Sequence, residues 1–240
     1  MRPGIEALRS LPLLQSFDNG MLDRLNETGD LARLGPGEVL FSAGDRTDTL
    51  NILLAGYVAL THPHPESGET STDVIAPVRP IGFAPAWLSL AAPVAARTVT
   101  SARLIMIPMA ELRTMVAAEP RLGLPILDYA LNELNELNWE IRNLKLRSSA
   151  QRLAEYLLGL IDDPAQTPAR FVLPYEKRFL AGKIGCTQAN LSRAFAALRR
   201  VGVGTQQGGV IVRDVAALRA FAGMVAPAAS GSRSTAPVKA

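Results

Sequence analysis

Between Ile126 and Arg147 the chain carries neither glycine nor proline, and this segment limits the available folds more than any other. Within it Leu127, Ala130, Leu134, Leu137, Ile141 and Leu144 recur at alternating spacings of three and four. An average period of about 3.5 residues keeps an apolar seam on one side of a helix when that helix supercoils with another. Glu133, Glu136, Glu140, Arg142 and Lys145 fill the other faces. A helix packing only on its own domain usually shows a broader apolar face. A seam between two copies of the chain is therefore expected.

Upstream the punctuation changes. From about Leu31 to Pro108 short strand-like runs (Glu38–Phe41, Leu50–Leu54, Tyr57–Thr61, Thr72–Ile75, Arg103–Ile107) alternate with Gly35-Pro36-Gly37, Ala43-Gly44-Asp45, Ala55-Gly56 and the polar loop His62–Gly68. Glycine supplies positive φ at turns and proline blocks pairing, so a small antiparallel barrel or sandwich is expected. Helices Gly20–Asn26 and Ala110–Ala118 should flank it. The expected segments are a strand-rich domain over 11–118, a helix over 119–147 that pairs two copies, a C-terminal domain over 148–223 and a disordered tail over 224–240, too poor in large apolar residues to order itself.

Composition narrows the class. Glu6, Arg9 and Pro12 break any signal-peptide core, and Pro85, Pro93 and Arg97 interrupt the best apolar stretch before it reaches the roughly 18 residues a membrane span needs. A cytoplasmic protein with no membrane partner is expected. The one cysteine, Cys186, excludes an internal disulfide and a multi-cysteine cluster, and two histidines make a protein-ligated metal improbable. Charge is unevenly placed: residues 1–110 carry net −3 and residues 147–223 net +6. A basic nucleic-acid module joined to a near-neutral sensor shows this asymmetry.

The chemistry concentrates in Tyr175–Arg200. Glu176–Ile184 suits one helix, Gly185-Cys186-Thr187 a tight turn with Thr187 as cap, and Gln188–Arg200 a second helix. At 100° per residue, Leu191, Ala194, Phe195 and Leu198 share one side. Ala189, Ser192, Arg193, Ala196 and Arg200 share the other, flanked by Gln188 and Arg199. Small residues let a helix approach base edges closely, and arginine can donate two parallel hydrogen bonds to guanine. Thr187, Gln188, Ala189, Asn190, Ser192 and Arg193 are the candidate DNA contacts, together with Lys183 and Arg199. Lys177, Arg178, Lys183 and Arg199 read equally as phosphate contacts or as solvated charge. Val201–Arg213, rich in glycine and valine, reads as a two-stranded wing.

These residues resemble the cyclic-AMP receptor / fumarate-nitrate regulator (CRP/FNR) superfamily over about residues 11–220. The resemblance rests on Gly37, Gly44 and Gly56 around Val39-Leu40-Phe41 and Ile52-Leu53-Leu54; on Gly82-Phe83-Ala84 with Ala96-Arg97-Thr98-Val99; on Arg152-Leu153-Ala154-Glu155-Tyr156-Leu157; and on Ile184–Arg193. It implies an α+β fold: a cyclic-nucleotide-binding-like β-roll (a jelly-roll barrel), a long dimerisation helix and a C-terminal winged helix-turn-helix. It also implies a homodimer on an inverted repeat of double-stranded DNA, with RNA polymerase as a further partner and activation as the usual outcome.

Departures from the family pattern concern the input. The cyclic-AMP binders carry a glutamate that accepts from the ribose hydroxyl, where this chain has Phe83, and paired hydroxyl residues where it has Leu137 and Asn138. An unpaired buried polar group costs about 1–3 kcal/mol, so cyclic AMP is not expected as ligand. Gly82, Phe83, Arg97, Leu137 and Asn138 are the candidate effector pocket for an unknown effector. The N-terminal cysteines of the iron–sulfur branch are absent. Haem ligation by His62 or His64 is set against both lying unligated in a surface hairpin loop, and redox control through Cys186 against a half-buried turn residue. The usual Glu of the recognition helix is replaced by Ala189 while Arg193 is retained. No phosphate loop or nucleophile motif supports an enzyme. A cyclic-nucleotide-binding regulatory protein without DNA function is the alternative from another class.

Overall fold

A computed structural model describes residues 5–64, 68–163, 167–206 and 209–223. The tip of the His62–Gly68 loop, the centre of the polar linker after Asp163, the wing tip at Gly208 and the tail from Met224 lie outside the described residues. These fall into two compact units, 5–70 with 74–140, and 71–73 with 141–223.

The first unit opens with α1 (Ile5–Arg9), a 3-10 turn (Pro12–Leu14) and α2 (Asn19–Thr28), whose start is capped by Asp18 accepting from the Met21 N–H at 2.9 Å. Then come β1 (Asp30–Leu34), β2 (Val39–Phe41), β3 (Thr49–Ala55), β4 (Val58–His64), β5 (Gly68–Ile75), β6 (Arg79–Ile81), α3 (Phe83–Leu88), β7 (Ala95–Thr98) and β8 (Ala102–Pro108). They form two four-stranded sheets, ordered β1-β8-β3-β6 and β2-β7-β4-β5, in which the β1–β8, β8–β3, β3–β6, β2–β7 and β7–β4 pairs are antiparallel. This is the β-roll. The β3–β4 turn requires glycine: Gly56 sits at φ +84°, and a Cβ there would meet the Ser101 carbonyl oxygen at 2.2 Å.

Successive strand residues face opposite sides, and β8 uses both. Leu104 joins Phe41, Leu53, Val58, Ile81 and Ala96 in one core, while Ile105 and Ile107 join Leu50, Ile52, Leu8, Leu22, Leu25 and Leu112 in another. The second core is roofed by α1, α2 and α4 (Met109–Ala118). Contrary to the sequence reading, His62 and His64 are strand residues: β4 runs on to His64. Its ladder with β7 stops at Thr61, so Pro63 removes no donor from that pairing.

A second 3-10 turn (Pro120–Leu122) leads into α5 (Gly123–Leu146), which begins three residues before the glycine- and proline-free run and holds Pro125 in its first turn, where backbone N–H groups have no helical partner. Pro125 and Ile126 are buried, and Tyr129 packs against the helical core. The intended seam faces out: Leu127, Leu134, Leu137, Ile141 and Leu144 are each about half exposed, and Leu124 and Leu131 widen the stripe. Beside it Arg79 of β6 pairs with Glu133 at 2.6 Å and Glu136 at 3.3 Å. Burial pushes the neighbouring Tyr129 phenol up to about 12.

The second unit comprises the end of α5, α6 (Ser149–Gly159), β9 (Ala169–Val172), α7 (Lys177–Lys183), α8 (Gln188–Leu198), a 3-10 turn (Arg199–Val201), β10 (Val203–Gln206), β11 (Gly209–Val212) and α9 (Val215–Phe221). Ser148 and Gln151 form a reciprocal capping box at α6. Leu153, Leu157, Leu180, Leu191, Leu198, Val212 and Leu218 close one core. Among the described residues no helix is long and apolar enough to cross a membrane.

Candidate nucleic-acid interface

The turn between α7 and α8 is built by backbone geometry that the sequence dictates. Gly185 takes φ +64°, and its N–H donates to the Gly182 carbonyl while the Cys186 N–H donates to the Ala181 carbonyl, each at 2.9 Å. This is a Schellman ending, which a Cβ-bearing residue would strain. Two residues later Thr187 starts α8 by accepting from the Asn190 N–H at 3.2 Å.

The two faces of α8 then separate. Leu191, Ala194, Phe195 and Leu198 are buried, against α6 among others. Thr187, Gln188, Ala189, Asn190, Ser192, Arg193 and Ala196 are exposed. The Arg193 guanidinium is steadied by donating to Asn190 Oδ1 at 3.0 Å, and the Ser192 hydroxyl donates back to the Gln188 carbonyl at 3.1 Å. Lys177 stands over the Phe195 ring, 5.2 Å from its centroid. Six of the eight candidate DNA contacts therefore lie together on one exposed helix start. Arg199, also exposed, stands apart in the 3-10 turn, because the α-helix stops at Leu198 rather than Arg200 and Gly202 at φ +83° closes it. Lys183 is ion-paired with Asp73, which clusters with this unit, at 2.7 Å. The wing is wider than read: β9 adds a third strand, in the order β10-β11-β9. Helix α9 went unmarked in the sequence, although Asp214 caps it by accepting from the Ala217 N–H at 2.8 Å.

Cys186 is half-buried in the turn, and burial pushes its thiol up, against the opposing pull of Arg152. The thiol is therefore the form present at neutral pH. At pH 7.5 the native protein should react with a disulfide reagent several-fold more slowly than free cysteine does. A rate at or above that of free cysteine would restore Cys186 as a redox switch.

The candidate effector residues occupy three environments. Gly82, at φ +68°, caps α3, and Phe83 packs on Trp87 and Tyr129 with ring centroids 5.8 Å away in both cases. Ala96 belongs to the inter-sheet core, so Arg97, the next residue along β7, takes the opposite face. There it donates to the Gly37 carbonyl at 2.7 Å and lies 3.7 Å from Glu69. Leu137 and Asn138 are exposed on α5. His62 is half-buried, and among the described residues no group of three or more His, Cys, Asp or Glu could hold a metal ion.

A β-roll followed by a long helix and a winged helix-turn-helix is the architecture of a cyclic-nucleotide-binding-like domain joined to a helix-turn-helix DNA-binding domain. Residues 31–119 match the cyclic nucleotide-binding domain family and residues 151–221 the Crp-like helix-turn-helix domain family. The chain belongs to the CRP/FNR superfamily of transcription regulators. Among solved structures, a candidate cyclic nucleotide binding protein of Ruegeria pomeroyi DSS-3 is 28% identical, covering 93% of this chain and 100% of its own, with a TM-score of 0.66. A candidate cAMP-binding regulatory protein of Silicibacter pomeroyi DSS-3 is also 28% identical, covering 90% and 99%, with a TM-score of 0.64. FixK2 of Bradyrhizobium japonicum shares the fold at 14% identity, covering 82% and 99%, with a TM-score of 0.66. No curated protein matches by sequence.

Proposed function

We propose that the protein acts as a cytoplasmic homodimer, placing one α8 in each half of an inverted-repeat operator, with Arg193 reading a guanine in each half-site. The observation that carries this reading is the sorting of α8: its large apolar residues are buried, while the small-residue side bearing Arg193 is exposed. The net +6 of residues 147–223 supplies the sequence-independent attraction to phosphate. Ala189 suits contact with a thymine methyl, whereas the carboxylate that family members carry there accepts from cytosine. In this proposal Lys177, Arg178 and Arg199 are phosphate contacts, and Lys183 joins them once released from Asp73. RNA polymerase is the second partner in this reading, and activation its outcome.

The sensor input is read as something other than cyclic AMP. Phe83, standing where an acceptor carboxylate would be needed, is packed on Trp87 and Tyr129, and Arg97 is already bonded to the Gly37 carbonyl. The ligand named for the Silicibacter relative is therefore not carried over.

A gel shift of sheared genomic fragments over a salt series tests the reading. A minority of fragments sharing an inverted repeat should stay bound at about 0.2 M salt, after purely electrostatic binding has weakened by orders of magnitude. Release of all fragments together would overturn it.

A further inference from the structure

We infer that Arg152, with Leu144 and Gly185, forms a stiff joint that fixes α8 to the end of α5 and thereby sets the half-site spacing the dimer accepts. Arg152 lies on α6 and spends its guanidinium on three carbonyls. Its Nη1 donates to Arg147 at 2.6 Å, its Nε to Ile184 at 2.7 Å and its Nη2 to Gly185 at 3.0 Å. The first carbonyl closes α5, and the other two belong to the turn in front of α8. Carbonyls at helix ends lack helical donors and sit at the negative pole of the helix dipole, where a planar cation with several fixed N–H groups binds well.

Packing repeats the connection. A Cβ at Gly185 would stand 2.4 Å from Leu144 Cδ2, so the turn rides directly on α5. Leu144 is also a seam residue, leaving one side chain between the partner helix and the turn. Arg147 adds a stitch to Glu155 at 2.6 Å. Leu144, Arg147, Arg152, Glu155 and Gly185 all belong to one compact unit.

The consequence for DNA is geometric. Moving one half-site by a base pair shifts it by about 3.4 Å and turns it by roughly 35° around the duplex. A stiff joint cannot follow that displacement, whereas a loose one absorbs it. Arg152 is thus a positioning residue, and the inference rests on the dimeric, inverted-repeat reading above.

The test uses full-length protein, wild type and Arg152→Lys, on the recovered inverted-repeat duplex and on versions with the spacer longer or shorter by one base pair. Lysine keeps the charge but cannot reach three carbonyls. Wild type should lose about tenfold or more in affinity on each respaced duplex, comparable to a mismatched base pair. Arg152→Lys should lose less than about threefold while still requiring the half-site guanine, a pattern that general destabilisation would not produce. An unchanged spacing ratio overturns the joint, as does an equal loss at every spacing.

A DNA-free measurement separates this failure from failure of the operator reading. Spin labels on Arg142→Cys and Ala196→Cys in a Cys186→Ser background, diluted with unlabelled protein, should give a narrow distance distribution. Arg152→Lys should broaden it. An unbroadened distribution refutes the joint whatever the DNA result, whereas absence of guanine-dependent binding by wild type refutes the operator reading alone.

Discussion

Arg193→Ala is expected to abolish specific DNA binding while leaving weak, salt-sensitive binding in place. A bidentate arginine–guanine contact is worth roughly 1–3 kcal/mol. An inverted repeat uses it twice, so the loss should be roughly 2–6 kcal/mol, or about thirtyfold to twenty-thousandfold in affinity. The protein should remain folded, because Arg193 is exposed and its bond to Asn190 is a surface contact within one helix. Non-specific binding should keep most of its salt slope, since that slope counts phosphate contacts. Titration of the variant against operator and scrambled duplexes at two salt concentrations reads all three quantities. Equal, near-wild-type discrimination between the duplexes would remove Arg193 from base reading.

The second large effect is expected at the seam. Leu134 and Ile141 are 54% and 48% exposed in the protomer, so Leu134→Glu with Ile141→Glu should leave the isolated fold intact. In a dimer the same positions are covered, and each copy would bring two carboxylates into an apolar interface facing two more. Burying a charge without a partner costs several kcal/mol, and the lost apolar burial adds about 1.5–3 kcal/mol per side chain. Light scattering at micromolar concentration should therefore find a monomer with an unchanged circular dichroism spectrum. Operator affinity should fall to that of a single half-site. A dimer persisting with both carboxylates in place would move the interface elsewhere.

What could be read from the sequence followed from which residues carry a periodic or local signal. The α8 stripe was legible because Leu191, Ala194, Phe195 and Leu198 repeat with the helical period and Thr187 marks the start. The exposed apolar stripe of α5 was legible for the same reason, though Leu124 and Leu131 make it broader than a strict a/d stripe. Strands β2, β3, β4, β5 and β8 were found from their apolar runs and flanking turns, but β8 is buried on both faces and shows no alternation from which its two cores could be told apart. Proline misled twice: Pro63 suggested a loop inside β4, and Pro85 hid the short helix α3. Arg97 shows a further limit. Its type fits an effector pocket, but the alternation that places Ala96 inward turns Arg97 outward. Arg152 was visible only as one letter of a family signature. Its role depends on which carbonyls the turn brings within reach, and no local pattern encodes that.

Hydroxyl-radical footprinting on a recovered fragment reads whether two exposed α8 helices, held at a fixed separation, engage the halves of an inverted repeat. Two protected patches related by a dyad are expected, about 34 Å apart on one face of the duplex, both lost with Arg193→Ala. A single patch, or uniform protection insensitive to that substitution, would refute that arrangement.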